Sequence, residues 1–333
     1  MKRNISRRSF ISTVGKAGAA VGAASIIGAP AIVRSQQPLK IVTGTLAGGW
    51  TEISNKLLLE RNFGAKHGVE FSVFNSYPVL GNYYADVTKG TLEVGIGAWD
   101  AFVRMYEKGV PVRLVAVIST GQMCGFFARA NGPNTLADLK GKTLAAMQAS
   151  GTYAMTKTWM KEFDGLDVEK DMQVQNAPNP PATVTLVAGE RADAALSWEH
   201  SLSAGLHKVP GSKIFMTVGE YYKKHTNREM PFFAIFMRAD WIDKQPKGAV
   251  ERVVASFDDL FKWVHGNEAD FIKRAAELKI EPEVMKMALG SGRMRFDTRP
   301  LAVEKNREEV LFAANLLTKA GTFEKKLDDR FFA

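Results

Sequence analysis

The sequence predicts an α/β fold of two lobes, each a mostly parallel sheet flanked by helices, followed by a helical C-terminal tail. Three observations carry that expectation. Short runs rich in Val and Ile alternate with helix-length amphipathic segments. The alternation restarts once, after Ala130-Asn131-Gly132-Pro133, and beyond Asp240 the pattern is almost entirely helical.

In chain order, Leu39–Thr43 reads as a strand, Thr51–Phe63 as a helix and Val69–Phe74 as a strand. Val79–Lys89 (helix), Glu93–Ile96 (strand), Asp100–Lys108 (helix) and Val112–Ile118 (strand) complete the first unit. The second unit gives strands at Lys142–Ala146, Met172–Gln175, Ala192–Leu196 and Lys213–Thr217. Its helices start at Gly151 and cover Pro181–Ala188 and Trp198–Leu206. Lys247–His265, Ala269–Leu278 and Leu301–Lys319 are tail helices. The long apolar runs Val112–Ala128 and Pro231–Met237 bracket the second unit. Lobe one is therefore expected at 38–124 plus 233–333 and lobe two at 125–232, with hinge crossings near 120–128 and 230–237.

The first 31 residues stand apart from this fold. Lys2, Arg3, Arg7 and Arg8 open the chain, and Ser6-Arg7-Arg8-Ser9-Phe10-Ile11 has the twin-arginine pattern. The weakly apolar stretch Ala17–Ala29 follows, too short for a membrane span, and Ala29-Pro30-Ala31 offers a small-x-small cleavage site. Residues 1–31 thus read as a signal for twin-arginine export, which places the mature protein in the periplasm. The 333-residue chain carries a net charge of +9, but five basic residues and no acidic ones lie in the signal. The remaining +4 gives no basis for nucleic acid as a partner. Cys124 is the only cysteine, so an internal disulfide is excluded, and its apolar surroundings suit a small buried hydrophobe.

Catalytic motifs are missing. Gly44-Thr45-Leu46-Ala47-Gly48-Gly49 has the wrong spacing for a dinucleotide loop, and Gly95-Ile96-Gly97 lacks the third glycine. There is no P-loop and no nucleophile elbow. His200 and His207 lie seven apart with no further ligand to complete a zinc set. No enzyme, cofactor or metal is expected.

Open α/β sheets bind small molecules at the carboxyl ends of their strands, where helix N-termini converge. That rule selects Gly49, Trp50, Thr51 and Glu52 after the first strand, then Ser76 and Tyr77, Trp99 and Asp100, and Ser119 and Thr120. In the second unit it selects Ser150, Gly151, Thr152 and Tyr153, then Asn179, and Trp198 with Glu199. Helix N-termini there favour an anion or a polar oxygen, while ordinary capping explains the same small residues equally well. The aromatics suggest a flat pocket. These loops hold no Lys or Arg, so a neutral or nitrogen-bearing aromatic solute, its N–H groups accepted by a carboxylate, fits at least as well as an anion.

Several segments resemble a known family, the type II periplasmic solute-binding proteins of ABC importers. Leu92-Glu93-Val94-Gly95-Ile96-Gly97 is similar to its "G-E-x-D-x-G" strand, and Lys108-Gly109-Val110-Pro111-Val112 to its "G-x-P" stretch. Leu136-Ala137-Asp138-Leu139-Lys140-Gly141-Lys142 is similar to its "L-x-D-L-K-G-K" entry to lobe two. Ala192–Glu199 resembles "x-D-A-x-x-x-W-E-P", with His200 where proline would stand. The resemblance covers roughly 38–240 and is greatest to the branch for nitrate, sulfonates, taurine and thiamine pyrimidine precursors. It implies a monomer that captures a small organic solute between its lobes and hands it to an importer permease. The alternatives are a solute-sensing receptor protein, or an enzyme on the same fold like the fungal thiamine-pyrimidine synthases, which need active-site histidine and cysteine with iron.

Overall fold

The computed structural model describes residues 37–333; the export signal expected at 1–31 lies outside the described residues. The first unit runs β1 (Leu39–Leu46), α1 (Trp50–Glu60), β2 (Val69–Tyr77), α2 (Leu80–Lys89), β3 (Val94–Ala98), α3 (Trp99–Glu107) and β4 (Val112–Val117). Branched Val and Ile suit these strands because their stiff side chains pack well on a pleated surface. β3 is buried at every position, as befits a central strand covered on both faces. Its glycines make room for neighbouring rings. A Cβ at Gly95 would fall 2.5 Å from the Tyr83 hydroxyl, and one at Gly97 2.8 Å from the Phe102 ring. The Gly95-Ile96-Gly97 sequence is therefore a packing device.

The second unit comprises β5 (Cys124–Ala128), β6 (Thr143–Ala146), α4 (Gly151–Asp164), α5 (Val168–Asp171), β7 (Gln173–Asn176), α6 (Pro180–Ala188), β8 (Ala194–Trp198), α7 (Ser201–Lys208), β9 (Lys213–Thr217) and α8 (Val218–Thr226). α8, which the sequence pattern had not marked, starts at a capping box. The Thr217 hydroxyl accepts from the Glu220 N–H, and the Glu220 carboxylate accepts from the Thr217 N–H. The chain then returns through β10 (Phe233–Arg238), α9 (Ala239–Ile242), α10 (Ala249–Gly266), α11 (Glu268–Glu277), α12 (Pro282–Gly290), β11 (Arg299–Pro300) and α13 (Glu304–Lys319).

The strands form two sheets, ordered β11-β4-β10-β3-β1-β2 and β7-β6-β8-β5-β9. β1, β2 and β3 pair in parallel, as do β6, β7 and β8. The edge strand β11 pairs antiparallel with β4, and one internal strand in each sheet runs against both of its neighbours: β10 between β3 and β4, and β5 between β8 and β9. Each is the strand that enters its sheet directly after the chain has passed from the other sheet. The two connecting segments run side by side, bridged at Thr120 and Pro231. Gly121 N–H donates to Met230 O at 2.9 Å, and Phe232 N–H to Ser119 O at 3.1 Å.

The tail touches both units. α10 packs on α1, β2 and β4, whereas α12 packs on α7 of the second unit. Among the described residues no helix is long and apolar enough to cross a membrane.

Candidate functional site

A cavity of about 210 Å³ lies where the carboxyl ends of strands from both sheets face one another. The first lobe contributes the turn from Thr45 to Thr51, Pro78, the start of α2 with Leu80, Tyr83 and Tyr84, and Ile96–Ala98 at the end of β3. The second contributes Ser150–Thr152 at the start of α4, Pro178–Pro181 at α6 and Trp198–Ser201 at α7. Phe232 and Phe233, where the chain returns, complete the lining.

Of the residues selected from the sequence, Gly49, Trp50, Thr51, Ser150, Gly151, Thr152, Asn179, Trp198 and Glu199 line this cavity. The others stand elsewhere, each for a physical reason. Glu52 turns back to accept the Gly48 N–H at 2.6 Å and pairs with Lys56 at 3.1 Å. Ser76 is exposed, and the Tyr77 hydroxyl donates to Asp86 at 2.8 Å. Trp99 is fully buried; its indole N–H donates to Pro231 O at 2.9 Å and its ring meets Phe323 edge-on, so it pins the returning segment. Asp100 is fully buried against Arg104 at 2.5 Å. The Ser119 hydroxyl accepts from the Phe233 N–H and that of Thr120 from the Gln122 N–H, both within the crossings. Tyr153 is buried, with its hydroxyl toward Glu169. Trp50 lines the cavity only as part of the core, packed between Phe233 and Phe296.

The aromatic and apolar wall thus comes largely from residues the loop rule missed. Tyr83 and Tyr84 sit one turn inside α2, and Phe232 and Phe233 lie in the returning crossing. A signal was available: both crossings must pass between the lobes, so their aromatics are candidates for the lining. His200, which stands where the family pattern has proline, lines the wall and is 9% exposed.

Charge in the walls is internally satisfied. Glu199, 1% exposed, accepts from Arg293 Nε at 2.7 Å through one oxygen and from the Ser203 N–H at 3.1 Å through the other. Each oxygen thus already carries one donor from the protein. Burial alone lowers the His200 pKa from about 6.5 to about 4, so the imidazole is neutral at physiological pH.

A stability consequence follows with a definite sign. Between about pH 6.5 and 4 the unfolded chain protonates His200 while the folded chain does not, so stability falls as the pH is lowered and levels off below 4. The expected loss from this group is roughly 3 kcal/mol. Urea titrations of wild type and His200→Gln at pH 7 and pH 4 should differ by about that amount, the wild type losing more.

Burial pushes the Cys124 thiol well above its ordinary pKa, which leaves it unreactive. Among the described residues no three His, Cys, Asp or Glu side chains come together as a metal site.

Two mixed sheets, a paired double crossing and a cavity between facing strand ends define a class: the fold is that of the two-lobed periplasmic binding proteins. Residues 65–217 match the model of the family described as NMT1/THI5 like. The periplasmic aliphatic sulphonate binding protein SsuA from Escherichia coli superposes with a TM-score of 0.70 at 18% identity, over 88% of this chain and 96% of that one. The alkanesulfonate-binding protein SsuA from Xanthomonas axonopodis pv. citri, bound to MOPS, gives 0.69 at 15% identity over the same shares. The periplasmic nitrate-binding protein NrtA from Synechocystis PCC 6803 gives 0.58 at 17%, over 74% of this chain and 69% of that one. No curated protein matches the sequence significantly.

Proposed function

We propose that this protein is a periplasmic solute-binding protein that captures a small organic molecule between its lobes and delivers it to an ABC importer permease, without catalysing a reaction. The observation that carries this reading is the interlobe cavity, walled by helix starts from both lobes and by Tyr83, Tyr84, Trp198, Phe232 and Phe233. A solute touching both walls favours the closed arrangement by its differential affinity, and the paired crossings are where the chain would flex. The twin-arginine pattern at Arg7-Arg8 supports delivery to the periplasm, and the similarity to sulfonate- and nitrate-binding proteins supports the importer partner.

Gly49 supplies the test. Its backbone is extended, with φ −134°, and a Cβ built there meets no atom within 4 Å. Gly49→Phe therefore introduces a ring at the cavity edge without backbone strain. A thermal-shift screen of small organic solutes is expected to raise the wild-type Tm for one chemical class. Gly49→Phe should melt within a few degrees of the wild type and lose that shift. A shift retained in full by Gly49→Phe would place binding elsewhere.

A further inference from the structure

Five helices start at the cavity; at α2 the cap Val79 makes no side-chain hydrogen bond, and in the other four the positive end is already answered by the protein itself. At α1, Glu52 accepts the Gly48 N–H. At α7, Glu199 accepts the Ser203 N–H. At α6, the Asn179 side chain accepts the Ala182 N–H at 2.9 Å. At α4, the Ser150 hydroxyl accepts the Tyr153 N–H at 3.2 Å, and Asp100 of the other lobe packs so tightly on Gly151 that a Cβ there would lie 1.9 Å from Asp100 Oδ1. An incoming anion would thus find four of these five helix starts already answered, by Asn179 at α6, by Glu199 in the wall, and by Glu52 and Asp100 behind it.

Nor do the walls offer a solute a free cation. None of the described residues lining the cavity is Lys or Arg. The nearby bases are already paired, Arg104 with Asp100, Arg293 with Glu199 and Lys56 with Glu52.

What the walls do offer is neutral. Among the described residues, His200 Nδ1 and the Thr45 hydroxyl are buried without a hydrogen-bond partner, one on each lobe, and both residues line the cavity. Polar atoms buried at a cavity wall are satisfied by water or by a solute that lies beside them. A neutral imidazole provides one donor and one acceptor, and a hydroxyl serves as either.

We propose that the cavity takes an uncharged organic solute, an apolar body carrying a carboxamide- or hydroxyl-type edge that bonds to His200 and Thr45, and that it discriminates against oxyanions. This rests on the cavity being the capture site.

Benzamide, benzoate and benzenesulfonate share a ring and differ in the head group, so they separate the two claims when titrated calorimetrically against the full-length mature protein. Benzamide is expected to bind at least tenfold more tightly than either anion. Thr45→Val, which keeps the side-chain shape, and His200→Phe should each weaken benzamide about tenfold. Equal or tighter binding of benzoate or benzenesulfonate would overturn the proposal and leave capture in the cavity intact. Binding of none of the three would count against the capture site itself, and against this proposal with it.

Discussion

Replacing Arg293 with methionine is expected to cost about 3–5 kcal/mol of folding stability, an unusual amount for a residue in a loop of the tail. The reason is the partner. Glu199 is 1% exposed at the cavity wall, and Arg293 Nε bonds to it at 2.7 Å. Without Arg293 the buried carboxylate keeps only the Ser203 N–H, and its negative charge has no neighbouring cation to offset desolvation. The Arg293 side chain itself is 21% exposed, so water can reach its place and hold the loss to the lower end of that range. Urea denaturation of wild type, Arg293→Met and the double variant Glu199→Gln/Arg293→Met tests this. The double variant should be clearly more stable than Arg293→Met, because removing the charge removes most of the penalty. A loss below about 1 kcal/mol for Arg293→Met would mean that the pair behaves as a solvated surface bridge.

Gly151→Ala is the second substitution with a large expected effect, although alanine at the first turn of a helix is ordinarily favourable. Gly151 opens α4 in one lobe, and the Asp100 carboxylate from the other lobe occupies the space its side chain would need. Asp100 is fully buried and tied to Arg104, so it has little freedom to retreat. The added methyl must either displace the carboxylate or hold the lobes apart, at about 1–3 kcal/mol or somewhat more. Thermal melts should show a lower Tm, and the solute that stabilises the wild type should bind more weakly because closure now carries that cost. Asp100→Ala and Gly151→Ala should be strongly non-additive, since removing the Asp100 carboxylate frees the space that the added methyl needs. Additive losses would show that the two residues do not meet in solution.

These two contacts also mark the limit of what the sequence makes legible. Local pattern is enough for β1 to β4 and for the helices between them, because Val/Ile runs and 3.6-residue periodicity are properties of short windows. It also locates the strand-end loops, and so Gly49, Ser150, Asn179 and Trp198, from a rule about where α/β sheets place their ligands. Pairing between distant segments is another matter. Nothing local tells that β10 inserts between β3 and β4, or that Arg293 reaches Glu199 across 94 residues of chain. Trp99 and Tyr153 show the converse error. A large aromatic beside a helix start looks like a pocket residue, yet here each has a polar tip satisfied in the protein and a ring buried in the core. α8 was legible through Thr217 and Glu220 at capping-box spacing, a signal overlooked beside the stronger apolar run of the preceding strand.

The most direct measurement of the central claim is native mass spectrometry of the protein recovered from its own host cells, alongside Gly49→Phe prepared in the same way. The wild type is expected to carry one equivalent of a small organic molecule that is released on denaturation, and Gly49→Phe to run at its bare polypeptide mass. A wild type that carries no solute and gains none when incubated with its host's small-molecule extract would contradict the account.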